Sequence, residues 1–231
     1  MKCMVFDTGP IITLSLNNLL WILEPLKKKS NARFMIPDAV KVELIDRPLK
    51  TKKFKFEAMR TMQYIKNKIL EIKGGGELEE LTTELLELAN HCFKAKGQWI
   101  KIVHYAEIEA LALAIKSKAE VIIIDERTTK QLMENPKKLK ETLARKLHTS
   151  IHVNKNYLKR FLEKTKCIKA LRSIELVTIA YEMGLLDKYL ADIPEARRNL
   201  LDSVLWGVKL SGCAVSTREI DQIIKIEKPF L

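Results

Sequence analysis

The sequence predicts an α/β fold in which helices cover a central parallel sheet, and three observations carry that expectation. Strand-length apolar runs at residues 3–6 and 33–36 each lead through a turn into apolar residues at helical spacing. The run Val121-Ile122-Ile123-Ile124 sets four β-branched residues in succession, which marks a strand buried on both faces. At 231 residues the chain suits one core with elaborations better than two full-sized domains.

Taken in order, Cys3-Met4-Val5-Phe6 is the first strand and Asp7-Thr8-Gly9-Pro10 the turn that ends it. Ile11, Ile12, Leu14, Leu16, Leu19 and Leu20 then form the apolar face of a helix. A basic turn at residues 27–30 precedes the second strand at 33–36. Pro37-Asp38 opens the next helix, with proline where its missing N–H costs little, and Val40, Val42, Leu44 and Ile45 follow. About residues 50–98 read as a first helical insertion, a charged hairpin hinged at Gly74-Gly75-Gly76 that covers one side of the sheet. A helix over 107–118 buries Ala110, Leu111, Ala114 and Ile115 and leads into the central strand at 121–124. A second insertion, about 128–170, is basic and helical, is broken at Asn135-Pro136, and reads as a lid. Helices over 174–186, 200–210 and 217–226 complete a single domain spanning 1–231.

Lys and Arg number 41 against 29 acids, a formal charge of +12. Such a surplus attracts polyanions, so nucleic acid is the first partner to consider and an anionic membrane surface the second. A lysine-rich solvated surface, as in a thermophile, would give the same count. Cys3, Cys92, Cys167 and Cys213 form no CxxC pair, which argues against a zinc knuckle or a disulfide framework and for reduced cytosolic thiols. A charge at the seventh residue is too early for a signal peptide, and no run of about 18 apolar residues would span a bilayer. The expected location is the cytoplasm, with no membrane partner. His148 and His152 stand four apart on an expected helix without a third metal ligand nearby. The glycine run lacks a following Lys-Ser/Thr and is no phosphate loop. Trp21, Trp99 and Trp206 read as core residues.

The acids carry the chemistry. In open α/β sheets, ligands bind beyond the carboxyl ends of the strands. Asp7 follows the first strand and Asp125 follows the strand at 121–124, so the two aspartates project from matching ends. Each also suits a helix N-cap. Glu43 lies one to two turns into the second helix, and Glu109 begins the helix that leads to Asp125, with Glu107 just before it where a helix N-terminus favours negative charge. Residues two apart on a helix diverge by about 200°, so one of that pair faces the crevice. Asp7, Glu43, Glu109 and Asp125 gathered in one cleft would repel one another without a cation. Hard oxygen ligands with no Cys or His select Mg2+ or Mn2+ over zinc. The matching chemistry is hydrolysis of a phosphodiester.

Four segments in order then carry a resemblance: Asp7-Thr8-Gly9-Pro10-Ile11-Ile12, Ile36-Pro37 with Val42-Glu43, Glu107-Ile108-Glu109-Ala110-Leu111-Ala112-Leu113-Ala114, and Ile122-Ile123-Ile124-Asp125-Glu126-Arg127. This set resembles the PIN domain family, in particular its VapC-like archaeal and bacterial branch with a Gly-Glu-x-Glu-Ala segment and a terminal Asp-Glu-Arg. Ala106 stands in place of that glycine, Glu109 where Asp is common, and the two insertions are unusually long. The resemblance implies a three-layer α/β/α fold, Mg2+- or Mn2+-dependent endoribonuclease activity and frequent homodimerisation. It maps the catalytic and metal-binding acids onto Asp7, Glu43, Glu109 and Asp125, with Thr8, Glu107 and Arg127 as auxiliary candidates. RNA is the implied substrate, and an antitoxin or an RNA-processing protein the implied partner. Two other functions fit the same residues: a non-catalytic RNA-binding or assembly module, and the toxin of a toxin–antitoxin pair.

Overall fold

The computed structural model describes residues 2–227. The apolar run at the start forms β1 (Lys2–Phe6), and Asp7 ends it by capping α1 (Thr8–Leu16). A 3-10 turn (Leu20–Ile22) leads into α2 (Leu23–Ser30), whose last turn carries Lys27, Lys28 and Lys29 where cations complement the helix dipole. Next come β2 (Ala32–Pro37) and one continuous helical rod made of α3 (Asp38–Lys41), a π-helical turn (Val42–Asp46) and α4 (Arg47–Leu49). The middle of the chain gives α5 (Lys55–Lys66), β3 (Glu71–Lys73), α6 (Gly76–Asn90), β4 (Phe93–Ala95), β5 (Gln98–Trp99), α7 (Tyr105–Lys116) and β6 (Val121–Ile123). The remainder gives α8 (Arg127–Glu134), α9 (Pro136–Leu147), β7 (Ile151–Val153), α10 (Lys155–Thr165), β8 (Lys169–Leu171), α11 (Ser173–Glu182), α12 (Ala196–Leu210) and α13 (Thr217–Ile226).

Five strands form one parallel sheet in the order β3-β2-β1-β6-β8. The two most apolar strands lie side by side at its centre, with Val5, Phe6, Ile122 and Ile123 fully buried. Helix α7 packs across β1, β2 and β6, with α6 and α10 against it, while α1 packs with α5 and α11. The result is a three-layer α/β/α architecture. From β1 the chain steps outward to β2 and β3, whereas from β6 it steps the opposite way to β8. Strand order therefore reverses between β1 and β6, and the crevice beyond their carboxyl ends is where such sheets bind ligands. Phe6 pairs with Ile123 there, and the Asp7 N–H continues the ladder to the Ile123 carbonyl at 2.9 Å.

Several expectations change. The stretch 50–98 is not only a helical hairpin, and 128–170 is not a separate lid, because they supply β3 and β8, the two edge strands of the sheet. They also supply β4, β5 and β7, which pair antiparallel in a second, three-stranded sheet in the order β5-β4-β7. The basic turn at 27–30 is the last turn of α2. Helix α7 starts at Tyr105, two residues earlier than expected, with His104 as its N-cap. His148 ends α9 in a left-handed conformation and His152 lies in β7, so the two share no helix. Trp99 is 41% exposed rather than in the core, while Trp21 and Trp206 are partly buried against it. Among the described residues no helix is long and apolar enough to cross a membrane.

Candidate metal centre

Asp7 enters the crevice because β1 ends beside α1. Its side chain caps α1 by accepting from the Gly9 N–H at 3.5 Å, and the residue is only 5% exposed. Burial raises its pKa from 3.8 to about 7, and the charges of Glu107 and Glu43 push the same way against the backbone N–H groups of Thr8 and Gly9. Both readings of Asp7 made from the sequence thus describe one residue: it is a cap and also a desolvated acid facing other acids.

Glu43 sits in the π-helical turn, a distortion that often marks a functional position. Its Oε2 accepts from the Thr8 Oγ1 hydroxyl at 2.8 Å, and Arg47 one turn later approaches its Oε1 at 3.8 Å. Thr8 therefore ties α1 to the acid contributed by the α3–α4 rod. The other oxygen of Glu43 keeps only a long contact to an exposed guanidinium.

The earlier start of α7 places Glu107 in its first turn and Glu109 on a different face. Glu107 is the acid whose charge acts on Asp7; its Oε2 accepts from Thr129 Oγ1 at 2.8 Å, and burial, then the charge of Glu126, raises its pKa. Glu109 is 6% exposed and accepts from the Ala39 N–H at 2.7 Å, with Asp38 and Glu79 as its acidic neighbours. The reason is local. Pro37, at the N-cap of α3, has no side-chain acceptor to offer, so α7 supplies one.

Asp125 is 3% exposed and, like Asp7, borders the space beside Gly9 where a Cβ would sit. A Cβ on Gly9 would stand 3.3 Å from the Asp125 Cβ, a tight contact that would press on Asp125, and 3.7 Å from Asp7 Oδ2. The Asp125 carboxylate is taken up internally. It accepts from Thr13 Oγ1 at 2.9 Å, Ser173 N at 2.7 Å and Ser173 Oγ at 2.8 Å, which fastens α1 and the N-terminus of α11 to the end of β6. Neither Thr13 nor Ser173 had been singled out by the sequence; a hydroxyl on the apolar face of each helix is the signal that marks them.

The structure thus brings Asp7, Glu43 and Glu107 together electrostatically, holds Asp125 next to them through its own bonds, and engages Glu109 at the start of α3. Arg127 is exposed and lines a cavity of about 330 Å3 with Lys130, Gln131 and Arg172. Among the described residues no three acid, His or Cys side chains already stand as a closed cation site. The donor set fits a hard divalent ion in its chemistry: Asp7, Glu43 and Glu107 would offer only carboxylate oxygens, and the burial that raises the Asp7 carboxyl to about 7 is a cost that a cation would offset.

The parallel sheet with its order reversal, covered by helices on both faces, matches the three-layer α/β/α PIN-like architecture, which is a nuclease-type fold. The PIN domain family model matches residues 3–139, more than half of the chain, and the chain belongs to that family. PIN domains are generally nucleases, typically depend on a divalent metal, and commonly bind RNA or pair with antitoxins. No curated protein and no solved structure matches the chain.

Proposed function

We propose that this chain is a metal-dependent endoribonuclease of the cytoplasm, in which Asp7, Glu43 and Glu107 hold Mg2+ or Mn2+ at the reversal between β1 and β6. The observation that carries the reading is the Asp7 carboxyl, fully desolvated and raised to about 7 in the presence of two further acids from separate helices. A buried acid cluster of this kind is costly to a fold and is relieved by a cation. Glu107 takes the place that sequence spacing gave to Glu109, which caps α3 instead. Asp125 acts as a positioning residue that orients the α1 end and hence Asp7.

When bound, the metal lowers the pKa of an attacking water and offsets charge on the scissile phosphate and leaving oxygen. The protein's share is to hold the carboxylates in one crevice, to keep Glu43 oriented through the Thr8 hydroxyl, and to accept the proton given up by the attacking water. A basic exterior draws the polyanionic substrate toward that crevice.

The test is RNA cleavage as Mn2+ is titrated against purified protein. Cleavage that requires metal and falls by at least about a hundredfold in Asp7→Asn supports the enzyme. A second reading, an RNA-binding module without catalysis, is favoured by the lack of a closed three-acid site among the described residues. RNA binding with no cleavage at any Mn2+ concentration would establish that alternative.

A further inference from the structure

The second sheet has a buried face and an open one. Phe93 and Ile151 point into the core, with Ala95 and Val153 packed beside them. Residues directly opposite in an antiparallel sheet share a face, so the register that pairs Lys94 with both Trp99 and His152 sets these three in a row on the outer face. The Lys94 ammonium lies 4.7 Å from the centre of the Trp99 ring. His91, at the end of α6, meets Trp99 edge-on at 5.2 Å, and Tyr157, from the first turn of α10, stands 5.5 Å from His91 and 6.5 Å from Trp99.

A tryptophan 41% exposed within a ring cluster gains nothing from water and offers a flat surface to another ring. The chain segments that carry the rings are themselves of one sign. The segments that build the cluster, 91–104 and 148–162, contain no Asp or Glu but five Lys and one Arg. Lys159 and Arg160 pair with Glu163 and Glu84, while Lys94, Lys96, Lys101 and Lys155 have no ion pair among the described residues. Unneutralised lysines on the segments that carry these clustered rings match a ligand that alternates π-faces with negative charge, which is single-stranded nucleic acid. A duplex hides its π-faces inside the stack and cannot use the rings.

The platform is also tethered to the helix that carries Glu107. Trp99 and Glu107 are eight residues apart, so their backbones cannot be more than about 28 Å apart. The intervening chain is clamped, because Asn90 Oδ1 accepts from Ile102 N at 2.8 Å and Val103 N at 3.2 Å.

We propose that Trp99, with His91 and Tyr157, is a base-stacking platform that binds an unpaired stretch of RNA within a chain's reach of the carboxylate crevice. This deepens the nuclease reading by naming the form of the substrate, yet the binding itself does not depend on cleavage. The experiment measures binding of single-stranded and duplex RNA to the full chain in EDTA, using the Asp7→Asn protein so that nothing is cut. Trp99→Ala in that background is expected to weaken single-strand binding about tenfold, with duplex binding changed less than twofold and Trp99→Phe retaining most of the affinity. Unchanged single-strand affinity in Trp99→Ala, with an unaltered melting temperature, would overturn the proposal and leave the face to a protein partner. Equal losses for duplex and single strand would overturn it as well, in favour of plain charge attraction. Because metal and cleavage are both absent, failure of the enzyme reading leaves this result intact, and the converse holds.

Discussion

At the scale of single residues, Asp7 links stability to function. Its folded pKa of about 7 lies above the ordinary 3.8, so the metal-free native state keeps a proton that the unfolded chain gives up between those values. The contribution is fully present below pH 3.8 and is lost as pH rises through 7. Asp7→Asn, which can still cap α1, is expected to stabilise the metal-free protein at pH 8 by on the order of 2–4 kcal/mol in denaturant titrations, while removing cleavage. A variant less stable than the parent at that pH would show that the carboxyl is not the burden described. Glu107 and Glu109 make a second contrast: Glu107→Gln should cost at least about a hundredfold in cleavage, whereas Glu109→Gln should leave the rate within a few-fold and lower stability by about 1 kcal/mol. The reverse pattern would return Glu109 to the centre. Asp7, Asp125 and Glu43 could be singled out as candidates in the sequence because strand ends and a helical pattern frame them. The proposed choice of Glu107 over Glu109 could not be read there, since it rests on tertiary contacts, Glu109 with the Ala39 N–H and Glu107 with Asp7. The lack of a capping side chain at Pro37 was the available hint that a neighbouring acid would be taken up there.

At the scale of elements, Asp125 is a joint rather than a loose ligand. Thr13 on α1 and Ser173 on α11 both donate to its carboxylate, so the two helices that flank the crevice are set by one buried acid. Thr13→Val keeps the volume but leaves a buried carboxylate short of a donor, and is expected to destabilise the protein by about 1–3 kcal/mol, read from the urea midpoint. A change under about 0.3 kcal/mol would mean that the bond contributes nothing. The central strands were legible in the sequence because four β-branched residues in succession leave little alternative. Strands β3 and β8 were not: Glu71-Ile72-Lys73 and Lys169-Ala170-Leu171 are three residues each and partly charged, and only pairing with an already formed neighbour makes them strands. Both had therefore been absorbed into the supposed insertions.

Across the whole molecule, the order reversal between β1 and β6 decides where chemistry can occur, and the +12 formal charge sets a basic exterior around an acidic crevice. In the proposed reading, that opposition marks a centre that takes up a cation rather than a generally acidic surface. The shared cation is best tested by calorimetric titration of Mn2+ into the protein at pH 6, in two buffers of different ionisation enthalpy so that released protons are counted. Binding should release about one proton, supplied by Asp7, and should be lost in Asp7→Asn and Glu107→Gln but kept in Glu109→Gln. Absence of binding by the parent protein, or the same affinity and proton count in Asp7→Asn, would contradict a metal centre built on these carboxylates.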